Sequence, residues 1–224
     1  AALMLLNGYL QWGEGLPRRL NGMYAFLVWD ARTQRAFAAR DRSGEKPFFW
    51  CRQGDRFVFG SELHALRAGG FLDGGSIDPE ALDCYLTLGY VPAPRTIYRD
   101  VFKLRPAHQM LVDASGQGTS RYWDVPDVSP RNVSMEEALE EFEPLFDDAV
   151  RMQLASDVPL GAFLSGGIDS ALVVSSMAKS SGRVITNTIG SGYPVFDERS
   201  LARQVASAFG TEHHEYEVRP DAVM

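Results

Sequence analysis

Cysteine is scarce in this chain, since its 224 residues contain only Cys51 and Cys84. Two thiols so far apart, without the short spacings of metal ligands, argue against a disulfide scaffold and a zinc site. Cys51 follows an aromatic run, and Cys84 lies in an apolar helical pattern. Because free cysteine packs as a small hydrophobic side chain, we predict that both are core residues and that neither is a nucleophile.

Positive charge and long apolar runs are also lacking. The 22 Lys and Arg residues against 29 Asp and Glu give a net charge of -7, so a nucleic-acid partner is not expected. No run approaches the ~20 apolar residues that span a bilayer, and the run at 3–6 is too short for a signal peptide. We therefore expect no membrane partner and a cytoplasmic location.

The first half of the chain is rich in predicted strands. Apolar runs separated by turn residues occur at 22–29, 36–39, 48–50 and 57–59. The first run is apolar on both faces, as in a strand between two layers. Asp78 and Pro79 resemble a helix start, and Gly89 resembles its end. A last hairpin is predicted at 110–123, with its turn at 115–118.

Polar residues at 125–133 have no periodicity and include Pro126 and Pro130. This composition predicts a linker. It separates one predicted domain at 1–124 from another at 134–224.

The second half begins with a capping box, in which Ser134 and Glu137 start a predicted helix. Pro144 is expected to kink or interrupt that helix. Strands and helices then alternate, with Asp197 as a predicted helix cap and Gly210 as a helix end. This order predicts a parallel sheet whose ligands bind at the carboxyl ends of its strands.

One predicted strand of this sheet ends in Ser-Gly-Gly-Ile-Asp-Ser, starting at Ser165. A strand, a glycine turn and a helix N-terminus present backbone N–H groups and the positive end of the helix dipole to an anion. Gly166 and Gly167 allow close approach, and Ser165 and Ser170 add hydroxyl donors. Asp169 can hold a divalent cation that bridges phosphate oxygens. These residue types predict a pyrophosphate-binding loop.

The loop differs from other phosphate loops, because it lacks a Gly-Lys-Ser/Thr lysine and no Gly-x-Gly-x-x-Gly follows a strand. The alternative interpretation is a tight strand-to-helix turn whose glycines serve close packing. Ile189 ends the next predicted strand, where an apolar side chain can pack against a nucleobase.

Further motifs accompany the loop in a fixed order along nearly the whole chain. They lie at 21–26, 40–47, 61–62, 89–97, 121–124, 156–170, 188–190, 196–198 and 210–214. Together they resemble the glutamine-hydrolysing asparagine synthetase family. The earlier segments are similar to the latter part of its glutaminase domain, and 156–170 is similar to its pyrophosphate-loop signature.

The resemblance implies a fold of the α/β and α+β classes. Residues 1–124 would form the C-terminal part of a type 2 glutamine amidotransferase domain, which is a partial N-terminal-nucleophile hydrolase αββα sandwich. Residues 134–224 would begin a parallel-sheet adenine-nucleotide α-hydrolase-like (pyrophosphate-loop) domain.

The resemblance also implies a ligase with two sites. Glutamine hydrolysis supplies ammonia, and aspartate is activated by ATP and Mg²⁺ as β-aspartyl-AMP, so that asparagine, AMP and pyrophosphate are formed. The residues that the motifs assign to ATP are Phe163, Ser165, Gly166, Gly167, Asp169, Ser170 and Ile189. Asp169 would also reach the metal, and Phe163 and Ile189 the adenosine. The expected partners are small molecules, with a homodimer as the candidate assembly.

Parts of the family pattern have no counterpart in this sequence. These are the nucleophilic N-terminal cysteine, an Asn-Gly-Glu segment and a later Ser-Gly-Glu-Gly-Ser-Asp-Glu loop. No catalytic residue is therefore assigned, and the segment alone is expected to be inactive. Two alternatives remain open: an amide-bond-forming relative without glutaminase activity, similar to β-lactam or macrolactam synthetases, and a non-enzymatic remnant.

Two other groups of polar residues receive structural interpretations. The charged residues at 40–46 are predicted to form a turn with ion pairs among themselves rather than a catalytic cluster. His213 and His214 are adjacent in a predicted strand, so their side chains face opposite ways and do not readily share a metal.

Overall fold

The computed structural model describes residues 2–72, 75–190 and 197–218. The chain divides into two compact units, Ala1–Val128 and Ser129–Met224. The first unit contains helices α1 (Ala2–Trp12), α2 (Leu63–Ala68) and α3 (Pro79–Leu88) and a 3-10 helix at Gly13–Arg19. Its strands are β1 (Ala25–Asp30), β2 (Arg35–Arg40), β3 (Phe49–Gln53), β4 (Arg56–Gly60), β5 (Val101–Lys103), β6 (His108–Asp113) and β7 (Gly116–Arg121).

These strands form two antiparallel sheets, one ordered β1-β2-β6-β7 and the other β4-β3-β5. The sheets pack face to face, because Ala38 and Met110 of the first share a buried cluster with Trp50 of the second. Successive side chains of a strand point to opposite faces. Phe37 therefore stacks on Tyr9 of α1, at 5.5 Å between ring centroids, on the outer face of the first sheet.

The outer face of the second sheet is covered in the same way. Cys51, which follows Trp50, packs against Leu66 of α2. Helix, sheet, sheet and helix thus follow one another, and the expected αββα layering is confirmed. Cys51 is buried as predicted, whereas Cys84 in α3 is only half-buried.

The second unit contains α4 (Met135–Gln153), β8 (Gly161–Phe163), α5 (Ile168–Ser180), β9 (Ile185–Gly190), α6 (Arg199–Phe209) and β10 (Glu212–Glu217). Its three strands are parallel and ordered β10-β9-β8. The predicted parallel sheet is confirmed. Leu164, directly after β8, joins Val174 of α5 and Ala202 of α6 in one buried cluster. Among the described helices, none has the length and the hydrophobicity needed to cross a bilayer.

Local signals predicted several element ends correctly. Asp78 caps α3 through Glu80 N–H, and Gly89 ends it in the left-handed conformation. Ser134 and Glu137 form the predicted capping box of α4.

Three predictions about local structure were wrong, and a fourth was wrong in part. Pro144 does not interrupt α4, a helix of 19 residues that continues past it to Gln153. Glu198, not Asp197, is the N-cap of α6, although the Asp197 carboxylate does accept from Arg199 N–H. The hairpin turn lies before Gly116, where β7 already begins, because the Asp113 carboxylate closes the turn through Ser115 N–H at 2.8 Å. Trp29 is 55% exposed, so β1 is not covered on both faces along its whole length.

Candidate nucleotide-binding site

The glycine loop occupies the carboxyl edge of the parallel sheet. β8 ends at Phe163, and the buried Leu164 leads into the loop that precedes α5. Because β8, β9 and β10 run in the same direction, the ends of β9 at Gly190 and of β10 at Glu217 belong to the same edge. Ligands of open α/β sheets bind at such an edge, so the topology brings the predicted residues together.

Two serine hydroxyls close the loop on itself. Ser165 Oγ lies 3.0 Å from Ser170 Oγ, across the turn. Gly167 N–H donates to Ser165 Oγ at 3.3 Å, and the Ser170 hydroxyl donates to Gly167 O at 3.1 Å. These bonds preset the loop conformation, so that less ordering is needed when an anion binds.

Different structural features explain the presence of a glycine at each of these two positions. Gly166 has φ +82°, and a Cβ there would lie 2.6 Å from Leu201 Cβ and 2.9 Å from Ala202 N. Only glycine fits this position, as the close-packing interpretation expects. Gly167 has φ -73° and is the exposed N-cap of α5, where a Cβ would meet only Ser165 Oγ, at 3.3 Å. Packing therefore explains Gly166 and leaves Gly167 open to close approach by a ligand.

Asp169 lies in the first turn of α5 and is exposed. No hydrogen bond or ion pair joins its carboxylate to any other residue in the part of the chain that the structure describes. Mg²⁺ is commonly held by one or two carboxylates together with substrate phosphates. Within the described residues no group of three or more His, Cys, Asp or Glu side chains could hold a metal by itself. One exposed carboxylate at the N-terminus of α5 fits a metal that arrives with a phosphate.

Two apolar side chains at the edge are accessible. Phe163 is 78% exposed at the end of β8, and Ile189 is 57% exposed near the end of β9. The register pairs Phe163 with Asn187, two residues before Ile189. Both residues therefore offer apolar surface on neighbouring strands, of the kind that the flat face of a base can cover.

Sequence reasoning missed an ion-pair cluster at this edge. Arg199, at the start of α6, donates from Nε to the Asp197 carboxylate at 2.9 Å, and its Nη1 lies 3.4 Å from Glu217 Oε2. The hydrogen bonds from Arg199 lower the pKa of Asp197 to about 2. A Cβ on Gly190 would lie within 3 Å of the Arg199 guanidinium, so the glycine leaves room for that side chain in its present position. The only local signal was Asp197, which was interpreted as a helix cap.

The structural interpretation of the histidines agrees with their surroundings. His213 Nδ1 lies 2.9 Å from Thr186 Oγ1, and His214 Nε2 lies 3.3 Å from Glu212 Oε1. The two rings thus have separate partners.

The charged segment at 40–46 forms a turn, but the predicted ion pairs are wrong. Asp41 is buried, and its carboxylate accepts backbone N–H groups from Glu45, Lys46 and Tyr24. Arg40 donates to backbone carbonyls, among them Leu104 O at 2.8 Å. Buried charge is satisfied here by the main chain, because the turn wraps its own peptide groups around it.

Comparisons with known proteins agree with this arrangement. Residues 2–123 match the family model of the glutamine amidotransferase domain, and residues 141–224 match that of asparagine synthase. A putative glutamine-hydrolyzing asparagine synthetase 2 of Methanocaldococcus jannaschii is 34% identical over 217 residues. Glutamine-hydrolyzing asparagine synthetase 3 of Bacillus subtilis is 35% identical over 227 residues. Amidase chry2 of Gibberella zeae is 27% identical over 239 residues.

The chain spans only part of these relatives. The first match covers 95% of the chain and 42% of the relative, and the second covers 94% and 37%. The match to a solved glutamine phosphoribosylpyrophosphate amidotransferase of B. subtilis covers 91% of this chain and 59% of the chain of that structure. Its TM-score is 0.35 and the sequence identity is 11%. That likeness is too low to support an inference about this chain.

Proposed function

Since the chain belongs to the glutamine-hydrolysing asparagine synthetase family and joins its two domains, we propose that it is part of an enzyme that amidates aspartate to asparagine with ATP. The ammonia comes from glutamine. The observation that carries the proposal is the loop at 165–170, in which a glycine turn and a helix N-terminus with an exposed carboxylate lie at the carboxyl edge of a parallel sheet. Such a site favours a polyanion.

The proposed reaction has two steps. The β-carboxylate of aspartate attacks the α-phosphorus of ATP, so β-aspartyl-AMP forms and pyrophosphate leaves. Ammonia then attacks the acyl carbon, and AMP leaves with the carboxylate oxygen. The first step needs stabilisation of the charge that develops on pyrophosphate. The backbone N–H groups at the N-terminus of α5, with the hydroxyls of Ser165 and Ser170 once these turn from their bonds within the loop, would supply donors to that charge.

The neighbouring residues orient the nucleotide. We assign Gly167 to close approach of the phosphates, Gly166 to the turn of the loop that binds them, and Phe163 and Ile189 to contact with the adenosine. Asp169 would hold Mg²⁺, which when bound supplies positive charge to the phosphate oxygens. The exposed position of the Asp169 carboxylate supports this role.

Other parts of the proposal concern the protein that contains this segment. The segment alone is proposed to be inactive, because the relatives it matches are more than twice as long. A cytoplasmic location and a homodimer are proposed as its setting, and sedimentation of the purified protein measures the assembly.

The test uses the full reading frame that contains the segment. With aspartate, ATP, Mg²⁺ and glutamine, asparagine, AMP, pyrophosphate and glutamate should form in equal amounts. ADP in place of AMP would contradict the adenylate. Activity with ammonia but none with glutamine would favour the relative without glutaminase activity. No nucleotide cleavage with either nitrogen donor would favour a non-enzymatic remnant.

A further inference from the structure

One side chain of β9 forms a hydrogen bond with Leu164, the residue directly before the loop at 165–170. Thr188, which is buried in β9, donates its hydroxyl to Leu164 O at 2.5 Å. The N–H group of Leu164 donates to Asn187 O at 2.9 Å. Both backbone polar groups of the residue before Ser165 are therefore bonded to β9.

The carbonyl that Thr188 binds belongs to the same peptide unit as an N–H group of the loop. A trans peptide is planar, so Leu164 C=O and Ser165 N–H point in opposite directions and turn together. Ser165 N–H is directed into the loop, where it donates to Ser170 Oγ at 3.3 Å. Fixing the carbonyl consequently fixes the direction of the first N–H donor of the loop.

We propose that Thr188 is a positioning residue, which orients the Leu164–Ser165 peptide so that Ser165 N–H bonds to Ser170 Oγ and holds that hydroxyl in the loop to which we assign the phosphates of ATP. This inference rests on the function proposed above. Without the hydroxyl, the buried Leu164 carbonyl has lost its partner, and the peptide can rotate to find another. The loop then keeps its residues, but Ser165 N–H turns away from Ser170 Oγ, and the Ser170 hydroxyl is no longer held in place.

The same strand offers a matched control. Thr186 precedes Thr188 by two residues, so both side chains lie on the same face of β9. Thr186 is also buried, and its hydroxyl bonds to Thr211 Oγ1 at 2.7 Å and to His213 Nδ1 at 2.9 Å. It holds β10 and does not bond to the loop. Loss of either hydroxyl should lower the stability of the fold, but only loss of the Thr188 hydroxyl should change nucleotide binding.

The experiment compares Thr188→Val with Thr186→Val in the full reading frame. Valine keeps the shape of threonine and removes the hydroxyl. We expect Thr188→Val to raise the KM for ATP about tenfold, the order of one hydrogen bond, while the KM for glutamine stays unchanged. Thr188→Ser should restore the KM for ATP. Thr186→Val should lower the thermal unfolding midpoint and leave the KM for ATP near that of the wild type.

Separate outcomes contradict the inference and the proposed function. If the wild type does not cleave ATP, the proposed function fails, and the inference fails with it. If the wild type is active and Thr188→Val binds ATP equally well, only the inference is overturned. An equal rise in both valine variants would also overturn it, because a general loss of stability would then be the cause. If Thr188→Val does not fold, Thr188→Ala removes the same hydroxyl with less bulk, and the same criteria apply.

Discussion

Two aspartates, one in each unit, illustrate how differently the same side chain is used. Asp41 is 1% exposed, and its carboxylate accepts Glu45 N–H at 2.9 Å and Lys46 N–H at 3.0 Å. Asp169 lies in an exposed first helical turn, and no residue in the described ranges bonds to its carboxylate. Each follows a strand of its unit, in a segment rich in polar residues.

The difference separates a carboxylate that builds a fold from one that is free for a ligand. Asp41 has its hydrogen-bonding capacity filled by the chain itself, so a ligand would have to displace three backbone donors. Asp169 has its capacity open, next to a helix N-terminus. Substitutions should therefore affect stability at the first position and activity at the second.

The largest effect is expected for Asp169→Asn. Removing the charge from an open carboxylate at the proposed phosphate site should slow ATP-dependent pyrophosphate release about 10³-fold in the full reading frame. Glutamine hydrolysis and the thermal unfolding midpoint should stay near the wild-type values, because the side chain is exposed. Pyrophosphate release is measured by a coupled assay, and wild-type rates in the variant would disprove the role of Asp169.

The next largest effect is expected for Gly166→Ala, which should lower stability by disturbing the packing of the loop on α6. Gly166→Ala places a Cβ at 2.6 Å from Leu201 Cβ in a left-handed conformation, which should lower the free energy of unfolding by about 3 kcal/mol. Gly210→Ala is the control, because Gly210 has φ +62° with no atom within 4 Å of the added Cβ. It should cost about 1 kcal/mol, from backbone strain alone. Denaturant unfolding measures both, and equal costs would contradict the packing of α6 on the loop.

Asp41→Asn should have a smaller effect, limited to stability. The amide leaves buried backbone donors facing an N–H₂ group, which should lower the free energy of unfolding by about 2 kcal/mol. The KM values for ATP and glutamine should stay unchanged. A variant with normal stability and altered kinetics would reverse the contrast with Asp169.

The pH dependence of stability tests the same carboxylate. Burial acts to raise the pKa of Asp41, but hydrogen bonds from Lys46, Glu45 and Tyr24 outweigh it and lower the pKa below its ordinary value of 3.8. A pKa that is lower in the folded state contributes stability above the unfolded value, and the contribution is lost as the pH falls through the folded value. Wild type should therefore lose stability below about pH 4, and Asp41→Asn should lose less. Parallel acid curves for the two proteins would contradict this.

The smallest effect is expected for Glu45→Gln and Lys46→Gln. Both residues contribute backbone N–H groups to Asp41, and their side chains are exposed. Each substitution should change the free energy of unfolding by less than about 0.5 kcal/mol. Thermal or denaturant unfolding measures this. A loss of stability close to that of Asp41→Asn would contradict it and would favour the ion pairs predicted from the sequence.

Much of the local structure could be predicted because its signals span only a few residues. The Asp78 cap of α3 and the Ser134 capping box of α4 are closed by atoms two or three positions away. The alternation of strands and helices similarly predicted the parallel sheet. Pro144 and Asp197 show the limit of such signals. α4 continues through the proline, and Asp197 bonds to Arg199 without being the cap.

The glycine loop shows both contributions together. The sequence by itself determined that Ser165–Ser170 joins a strand to a helix, and it supplied the motif order that identified the family. Only the tertiary structure decided that Gly166 packs on Leu201, that Thr188 holds the loop entrance, and that Asp41 is buried while Asp169 is open. The physical reason is distance along the chain. Gly166 and Leu201 are 35 residues apart, and Asp41 and Tyr24 are 17 apart, although the other two donors to Asp41 lie within its own turn. No local pattern encodes which distant partners will meet.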